Sequence, residues 1–332
     1  MVKKIALEEH YSSPMNDAYW DKAAEANRDG KPYFDFVEKR LWNTDDYIPE
    51  LQAMDISKAV MSLTSPGVQG IADTKKAIEL AQSSNDAVYE KYVAQNPEQF
   101  TAFAAVALQD PAAAASELER AVNDLGMKGA LINGYSNIGS EGETVYLDDP
   151  SMDVFWKKVN ELDVPVYLHP RDPQPNQQRI YQDLPGLIGS VWGFTQETAV
   201  HVIRIMMSGL FDRYPNIKLI IGHLGEGLSQ TLPRTQHRLY KQINGENGGD
   251  YKRPLTDYLR TNVYATTSGH FTTTAFNNAL SVFGPDHILF SVDYPYEDNA
   301  DAAVWFDQLP ITDELKQKIG YDNAAKILRI DD

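Results

Sequence analysis

The 332-residue sequence predicts an α/β chain folded as a closed (β/α)8 TIM barrel. Eight short apolar segments rich in Val, Ile, Leu, Phe and Ala are bounded by turn residues and alternate with helical patterns, which calls for a parallel sheet wrapped by helices. The length suits one such barrel, so residues 1–332 are expected to form a single domain. An open doubly wound sheet is the competing arrangement, but no Gly-x-Gly-x-x-Gly follows the first strand to support dinucleotide binding.

The strands are expected near residues 3–8, 57–63, 101–107, 128–133, 164–168, 217–222, 262–266 and 287–292. Helices are expected over 73–96, 112–125, 153–162, 195–211 and 272–283. Gly126 and Gly284-Pro285 supply stops for two of them. Three stretches depart from the compact pattern. Residues 11–48 form a long first connection with seven aromatic residues from Tyr11 to Trp42, residues 170–194 hold four prolines and Trp192, and residues 238–256 include Gly245-Glu-Asn-Gly-Gly-Asp250. Long βα loops lie at the catalytic mouth of a barrel, so the first two are candidate lids or substrate walls, with surface insertion or subunit contact as the plainer alternative. The third reads as an insertion.

Composition narrows the function classes. Thirty basic against 47 acidic residues give a net charge of −17, which disfavours nucleic acid or an anionic membrane surface as a partner. No apolar run is long enough to span a membrane, and Met-Val-Lys-Lys leads into a strand rather than a signal segment, so a cytoplasmic protein is expected. The absence of cysteine leaves nitrogen and oxygen as the only metal ligands. An anionic substrate would meet a repulsive average field and would need local positive charge, from a metal or a positioned arginine.

The chemistry gathers at strand ends. Glu8 and His10 sit two apart at the end of strand 1 and therefore share a face. His169 ends strand 5, His223 ends strand 6, and Asp293 ends strand 8. C-terminal strand ends converge at the catalytic face. A lone histidine after an apolar run is usually a packed residue, but three of the seven histidines, with two carboxylates at equivalent positions, point to a metal centre. Imidazole and carboxylate without thiolate suit one divalent ion, Zn²⁺ or Mn²⁺, and no lysine at the end of strand 4 is placed to bridge a second.

Seven segments, in order along the chain, closely resemble the γ-resorcylate and dihydroxybenzoate decarboxylases of the amidohydrolase superfamily. They are Ala6-Leu-Glu-Glu-His10, Ala130-Leu-Ile-Asn-Gly134, Tyr167-Leu-His-Pro170, Gln196-Glu-Thr-Ala-Val-His201, Gly222-His-Leu-Gly-Glu-Gly227, Thr266-Thr-Ser-Gly269 and Phe290-Ser-Val-Asp-Tyr-Pro-Tyr-Glu297. Residues 11–48 and 238–256 match poorly. The resemblance implies a metal-dependent barrel of the amidohydrolase type in which Glu8, His10, His169 and Asp293 bind the metal. His223 would then lie beside it, oriented by Glu226. Hydrolytic relatives carry His-x-His on strand 1. Here Glu8 stands in place of the first histidine, and the added negative charge makes the metal a weaker activator of water and a better anchor for an anion. Glu9 should face the other way and be structural.

The activity implied is the non-oxidative, reversible decarboxylation of a hydroxylated benzoate to a phenol and CO2, without an organic cofactor. Asp293 would protonate the ring carbon that bears the carboxylate, with Glu226 and His223 tuning the charge; His223 as the proton donor is the alternative. A hydrolase of a lactone or amide on the same fold, and a non-catalytic small-molecule binder, are the competing functions. Asn133, Trp20 and Tyr296 are candidate substrate contacts, as is Tyr19, each with packing as its plainer role. Arg234 corresponds to a family arginine that contributes to the site, with a subunit interface as one route and a solvated helix position as the other. His201 and Arg204 read as packing, His237, His270 and His287 have no evident partners, and Thr266–Gly269 reads as the cap of a following helix, with lining the mouth as the alternative. The resemblance also implies a homo-oligomer, a dimer or tetramer.

Overall fold

In the computed structural model, which describes residues 2–140, 142–242 and 248–330, eight parallel strands form the barrel. They are β1 Lys4–Tyr11, β2 Ile56–Leu63, β3 Phe100–Ala102, β4 Ala130–Asn133, β5 Val166–His169, β6 Leu219–Ile221, β7 Val263–Thr266 and β8 Ile288–Leu289. Neighbours pair in chain order, β1 to β3 in one run and β4 to β8 in another. Two isolated parallel bridges, Ala104 to Ala130 and Glu9 to Tyr294, close the ring. Closure leaves no free sheet edge.

Ile5, Leu7, Val60, Phe103, Leu131, Tyr167, Ile220 and Leu289 fill the barrel. Tyr321, Ala324, Ile327 and Leu328 join this cluster from the C-terminal segment, plugging the end where the strands begin. A larger cluster seals the strands against the outer helices. Only the strand C-terminal ends remain open to ligands.

The expected strands are all present; β1 runs three residues further than expected, to Tyr11, β2 begins one residue earlier, at Ile56, and the other six are shorter. The segment predicted as strand over 287–292 is regular only at Ile288–Leu289, because its later backbone bonds to side chains: Ser291 N donates to Thr267 Oγ1 (3.0 Å) and Val292 N to Glu9 Oε1 (3.1 Å). Among the helices, Thr74–Val88 runs into a π turn at Tyr89–Val93. The helix expected over 195–211 ends at Met207 and resumes at Leu210. Gly209, with φ +72°, makes the break. The first connection folds into Pro14–Asp17, Lys22–Asp29 and Lys31–Arg40, and 170–194 into two 3-10 segments, Pro175–Tyr181 and Pro185–Leu187. Of the insertion expected at 238–256, residues 243–247 lie outside the described residues; helix Leu228–Lys241 precedes them.

One irregularity positions the site. Between Ala6 and Glu9 the chain advances three residues on β1 against two on β2, a β-bulge. Ile5 and Leu7 point into the barrel core, and strict alternation would send Glu9 and Tyr11 inward next. The bulge resets the alternation, so Glu8 and His10 face the mouth while Tyr11 packs in the outer layer. Ser291 Oγ accepts from both bulged amides, Leu7 N at 3.0 Å and Glu8 N at 2.7 Å.

Ser291→Ala is therefore expected to leave two buried N–H groups without an acceptor and to cost about 2–4 kcal/mol. Denaturant unfolding of the two proteins checks this, and a loss below about 0.5 kcal/mol would contradict it.

Candidate metal centre

Glu8, His10, His169 and Asp293 each offer one ligand atom, and the four atoms lie within 4.8 Å of one another. Glu8 and His10 are fully buried and His169 is 6% exposed. His10 Nε2 stands 3.2 Å from Asp293 Oδ1, and His169 Nε2 stands 3.4 Å from Glu8 Oε1. Ligands about 2.0–2.2 Å from one ion are separated by roughly 3–4.4 Å, so the spacing fits a single divalent cation.

Hydrogen-bond accounting points the same way. Glu8 Oε2 accepts from Tyr167 Oη and Ser268 Oγ. Thr266 Oγ1 lies 2.8 Å from both of those hydroxyls. The other oxygen, Oε1, is buried without a hydrogen-bond partner, as is His10 Nε2. Buried polar atoms are ordinarily satisfied, and a cation would satisfy both. Thr266 and Ser268 thus serve Glu8, correcting the expectation that Thr266–Gly269 caps a helix; Thr272 occupies the N-cap of Thr273–Phe283.

His223 lies beside the cluster. Its Nδ1 is 2.7 Å from Glu226 Oε1 and its Nε2 is 3.5 Å from Asp293 Oδ2. From His223 to Gly227 the backbone includes left-handed φ values at all five residues, and Asp293 has φ +83°. Non-glycine residues there cost roughly 1–2 kcal/mol each, strain of the kind that clusters at functional sites. Burial alone would lower the His223 pKa, but the carboxylates of Glu226, Glu8 and Asp293 outweigh it and hold the imidazolium form well above its ordinary range. Burial also tends to raise Asp293, yet the neighbouring imidazoles of His10 and His223 hold it below the usual carboxylate range. Burial raises Glu8, against the opposing pull of His223, and burial together with His10 keeps His169 well below the ordinary imidazole value.

A cavity of about 410 Å³ opens over His169, His223 and Asp293. Of the candidate substrate contacts, Trp20 and Tyr296 line it, and Trp20 leans on Phe34. The Tyr296 hydroxyl is 2.6 Å from Thr64 Oγ1. Asn133 does not line it: its Nδ2 donates to Leu63 O (3.1 Å) beneath Gly67, because the turn after β2 folds over it. Tyr19 is half exposed and outside the lining, and Arg234 is exposed on helix Leu228–Lys241, also outside it. His201 packs as expected, its Nε2 accepting from Leu147 N (3.0 Å), and Arg204 pairs with Asp148. His287 does have a partner, Val263 O at 2.8 Å, and it stacks on Tyr264. Sequence reasoning missed Arg171, Tyr135 and Asn137 on the cavity wall; the signal was an arginine two residues past a ligand histidine.

Glu9 faces outward, fully buried, accepting from Tyr47 Oη (2.8 Å), Ser291 Oγ and Val292 N. Burial pushes its carboxyl up to about 8 against those hydrogen bonds. It ties β1 to the segment that carries Asp293.

The amidohydrolase family model matches residues 49–330. A γ-resorcylate decarboxylase of Rhizobium radiobacter is 43% identical over 334 residues, covering 100% of this chain and 99% of its own. A crystal structure of 2,6-dihydroxybenzoate decarboxylase complexed with 2,6-dihydroxybenzoate is 42% identical with a TM-score of 0.93, covering 99% of this chain and 100% of its own. A dihydroxybenzoic acid decarboxylase from Polaromonas sp. JS666, with bound manganese and the inhibitor 2-nitroresorcinol, is 41% identical with a TM-score of 0.93, covering 99% and 98%.

Gly222 gives a direct test of the centre. A Cβ there would lie 2.8 Å from Glu8 Oε2 and 3.1 Å from Ser268 Oγ. Gly222→Ala is expected to push Glu8 off its anchors and weaken manganese binding about 10- to 100-fold, the scale of losses seen when the supports of metal ligands are removed. Calorimetric titration with Mn²⁺ checks this; unchanged affinity would show that Glu8 does not bind the ion.

Proposed function

This chain belongs to the amidohydrolase family, beside the γ-resorcylate decarboxylases, and from that membership we propose that it is a metal-dependent, non-oxidative decarboxylase of a hydroxylated benzoate. The observation that carries the reading is a buried Glu8 with one oxygen anchored and the other unpartnered, beside His10, His169 and Asp293. The family model begins at residue 49, yet β1 supplies two of the four ligand groups, which supports a single catalytic domain over 1–332.

A divalent metal held by these four residues would, when bound, supply positive charge for the substrate's carboxylate and ortho-hydroxyl and so fix the ring. Manganese is favoured over zinc because the Polaromonas relative binds it and because two of the four ligands are carboxylates. The two carboxylates also suit an anchoring centre better than a water-activating one. The three relatives above are decarboxylases, which disfavours the hydrolase alternative.

Asp293, ionised at rest, takes a proton from the His223 imidazolium and passes it to the ring carbon that bears the carboxylate. A C–H bond forms there, the bond to the carboxylate breaks, and its electron pair restores the aromatic ring as CO2 leaves. Electrons balance without an oxidant, so no organic cofactor is needed. His223 holds the replacement proton at Nε2, 3.5 Å from Asp293 Oδ2, and Glu226 fixes the ring through Nδ1. Direct donation by His223 is the second route to the same products.

We further infer a homo-oligomer, dimer or tetramer, in the cytoplasm. Ile180, Leu184, Val191 and Trp192, from 52% to 80% exposed on one loop, are surface a second copy would cover. Sedimentation at micromolar concentration is expected to show at least a dimer, and a monomer would contradict it.

The manganese-loaded protein is expected to release CO2 from 2,6-dihydroxybenzoate, with 2,3-dihydroxybenzoate and salicylate compared alongside. Hydrolysis of lactones or amides without CO2 release would overturn the reading. Asp293→Asn that retains metal is expected to lose at least about 10²-fold in kcat, and wild-type turnover in that variant would remove Asp293 from the proton step. Because Glu226, which is not among the proposed metal ligands, raises the His223 imidazolium, activity that depends on its proton should fall as pH rises through the raised pKa. His223→Gln should abolish that alkaline limb, and an unchanged limb would contradict the role.

A further inference from the structure

The cavity over the metal centre is acidic. Asp21, Glu25, Asp29, Asp172, Asp293 and Glu297 line it, and only two arginines face them. Arg28 is committed: its guanidinium pairs with Glu25, with Asp29 at 3.0 Å and with Asp172 at 3.3 Å. Arg171 is different. Its Nη1 donates to the carbonyls of Gln69 (3.1 Å) and Tyr135 (2.6 Å), and its Nη2 to Asn137 Oδ1 (3.1 Å). All three acceptors are neutral. No carboxylate lies within ion-pair distance of Arg171 among the described residues, and neither its Nε–H nor its remaining Nη2–H has an acceptor there.

The side chain is also built into place. The guanidinium lies 4.1 Å over the Tyr135 ring. Gly134 clears the path for it, since a Cβ at that position would come within 2.7 Å of Arg171 Cβ. Asp172 and Glu197 act on Arg171 only at longer range, and a fixed guanidinium with no carboxylate in direct contact, on the wall of a cavity lined by six carboxyl groups, is a recognition element for an anionic oxygen. The carboxylate and ortho-hydroxyl are already assigned to the metal centre, so the oxygen left for Arg171 is another one on the ring.

We propose that Arg171 is a substrate-binding, specificity-determining residue that pairs its free N–H groups with a second ring oxygen, so that the enzyme selects dihydroxybenzoates over 2-hydroxybenzoate. The inference rests on the decarboxylase reading and specifies its substrate class. A purely structural Arg171, bridging the segments around Gln69 and Tyr135, would affect all substrates alike.

The test compares 2,6-dihydroxybenzoate with 2-hydroxybenzoate on manganese-loaded wild type and Arg171→Gln. Wild type is expected to prefer the dihydroxy acid. The variant should lose roughly 10- to 100-fold in kcat/KM for that acid, the scale of a hydrogen bond to a charged group, and less than about threefold for 2-hydroxybenzoate. Calorimetric binding of 2-nitroresorcinol should weaken by a similar factor while 2-nitrophenol binding holds. Arg171→Lys, which keeps the charge but not the fork, provides a second variant should the glutamine protein fail to fold, and is expected to lose part of the discrimination. An equal loss on both acids, or a wild type without preference, overturns the role of Arg171 and leaves the decarboxylase reading standing. A wild type inert to both acids overturns that reading and this one with it.

Discussion

Burying the Glu8 carboxylate is the constraint on which the rest of the structure depends. A buried carboxylate is expensive unless it is hydrogen-bonded and paired with positive charge. Tyr167 and Ser268 satisfy one oxygen, and the cavity-side oxygen is left for a cation. Reaching that geometry requires the β-bulge of β1, because regular alternation after Leu7 would turn Glu8 into the outer layer. The bulge in turn needs an acceptor for two adjacent amides, which Ser291 provides from the segment leading to Asp293. Two of the proposed ligands from β1 and one from the segment after β8 are therefore placed by a single local arrangement.

The same coupling explains where the backbone is strained. Asp293, His223, Leu224 and Glu226 hold left-handed conformations; Asp293 and His223 line the mouth, and Leu224 and Glu226 belong to the turn that presents His223. The tightly packed barrel interior and its C-terminal plug, remote from this rim, supply the stability that offsets that strain. Around the rim the charges are divided. The carboxylates of Glu8 and Asp293 face the ligand histidines, Glu226 holds the His223 imidazolium, and Arg171 stands on the wall with only neutral acceptors.

Much of this was legible in the sequence. Apolar runs ending in Glu, His or Asp marked the strands and the four residues that the fold brings together, because strand C-terminal ends converge in a barrel. The bulge was not legible: the i, i+2 relation of Glu8 and His10 holds with or without it, and only the pairing register with β2 reveals which face is inward. Thr266 and Ser268 look like capping residues in sequence, and their role appears only once the closed barrel brings them to Glu8 and to the Tyr167 hydroxyl from β5. Asn133 ends a strand as the ligand residues do, yet the turn after β2 covers it. Arg171 escaped notice because its lack of a direct ion pair is a property of its neighbours, gathered from segments near residues 69, 135 and 137.

The most direct test of the account is the anomalous diffraction of manganese in crystals of the loaded protein. A single peak within about 2.0–2.4 Å of Glu8 Oε1, His10, His169 and Asp293 is predicted, with His223 outside the coordination sphere and still paired to Glu226. Two peaks, or one peak bound by His223 with Glu8 remote from it, would contradict the account.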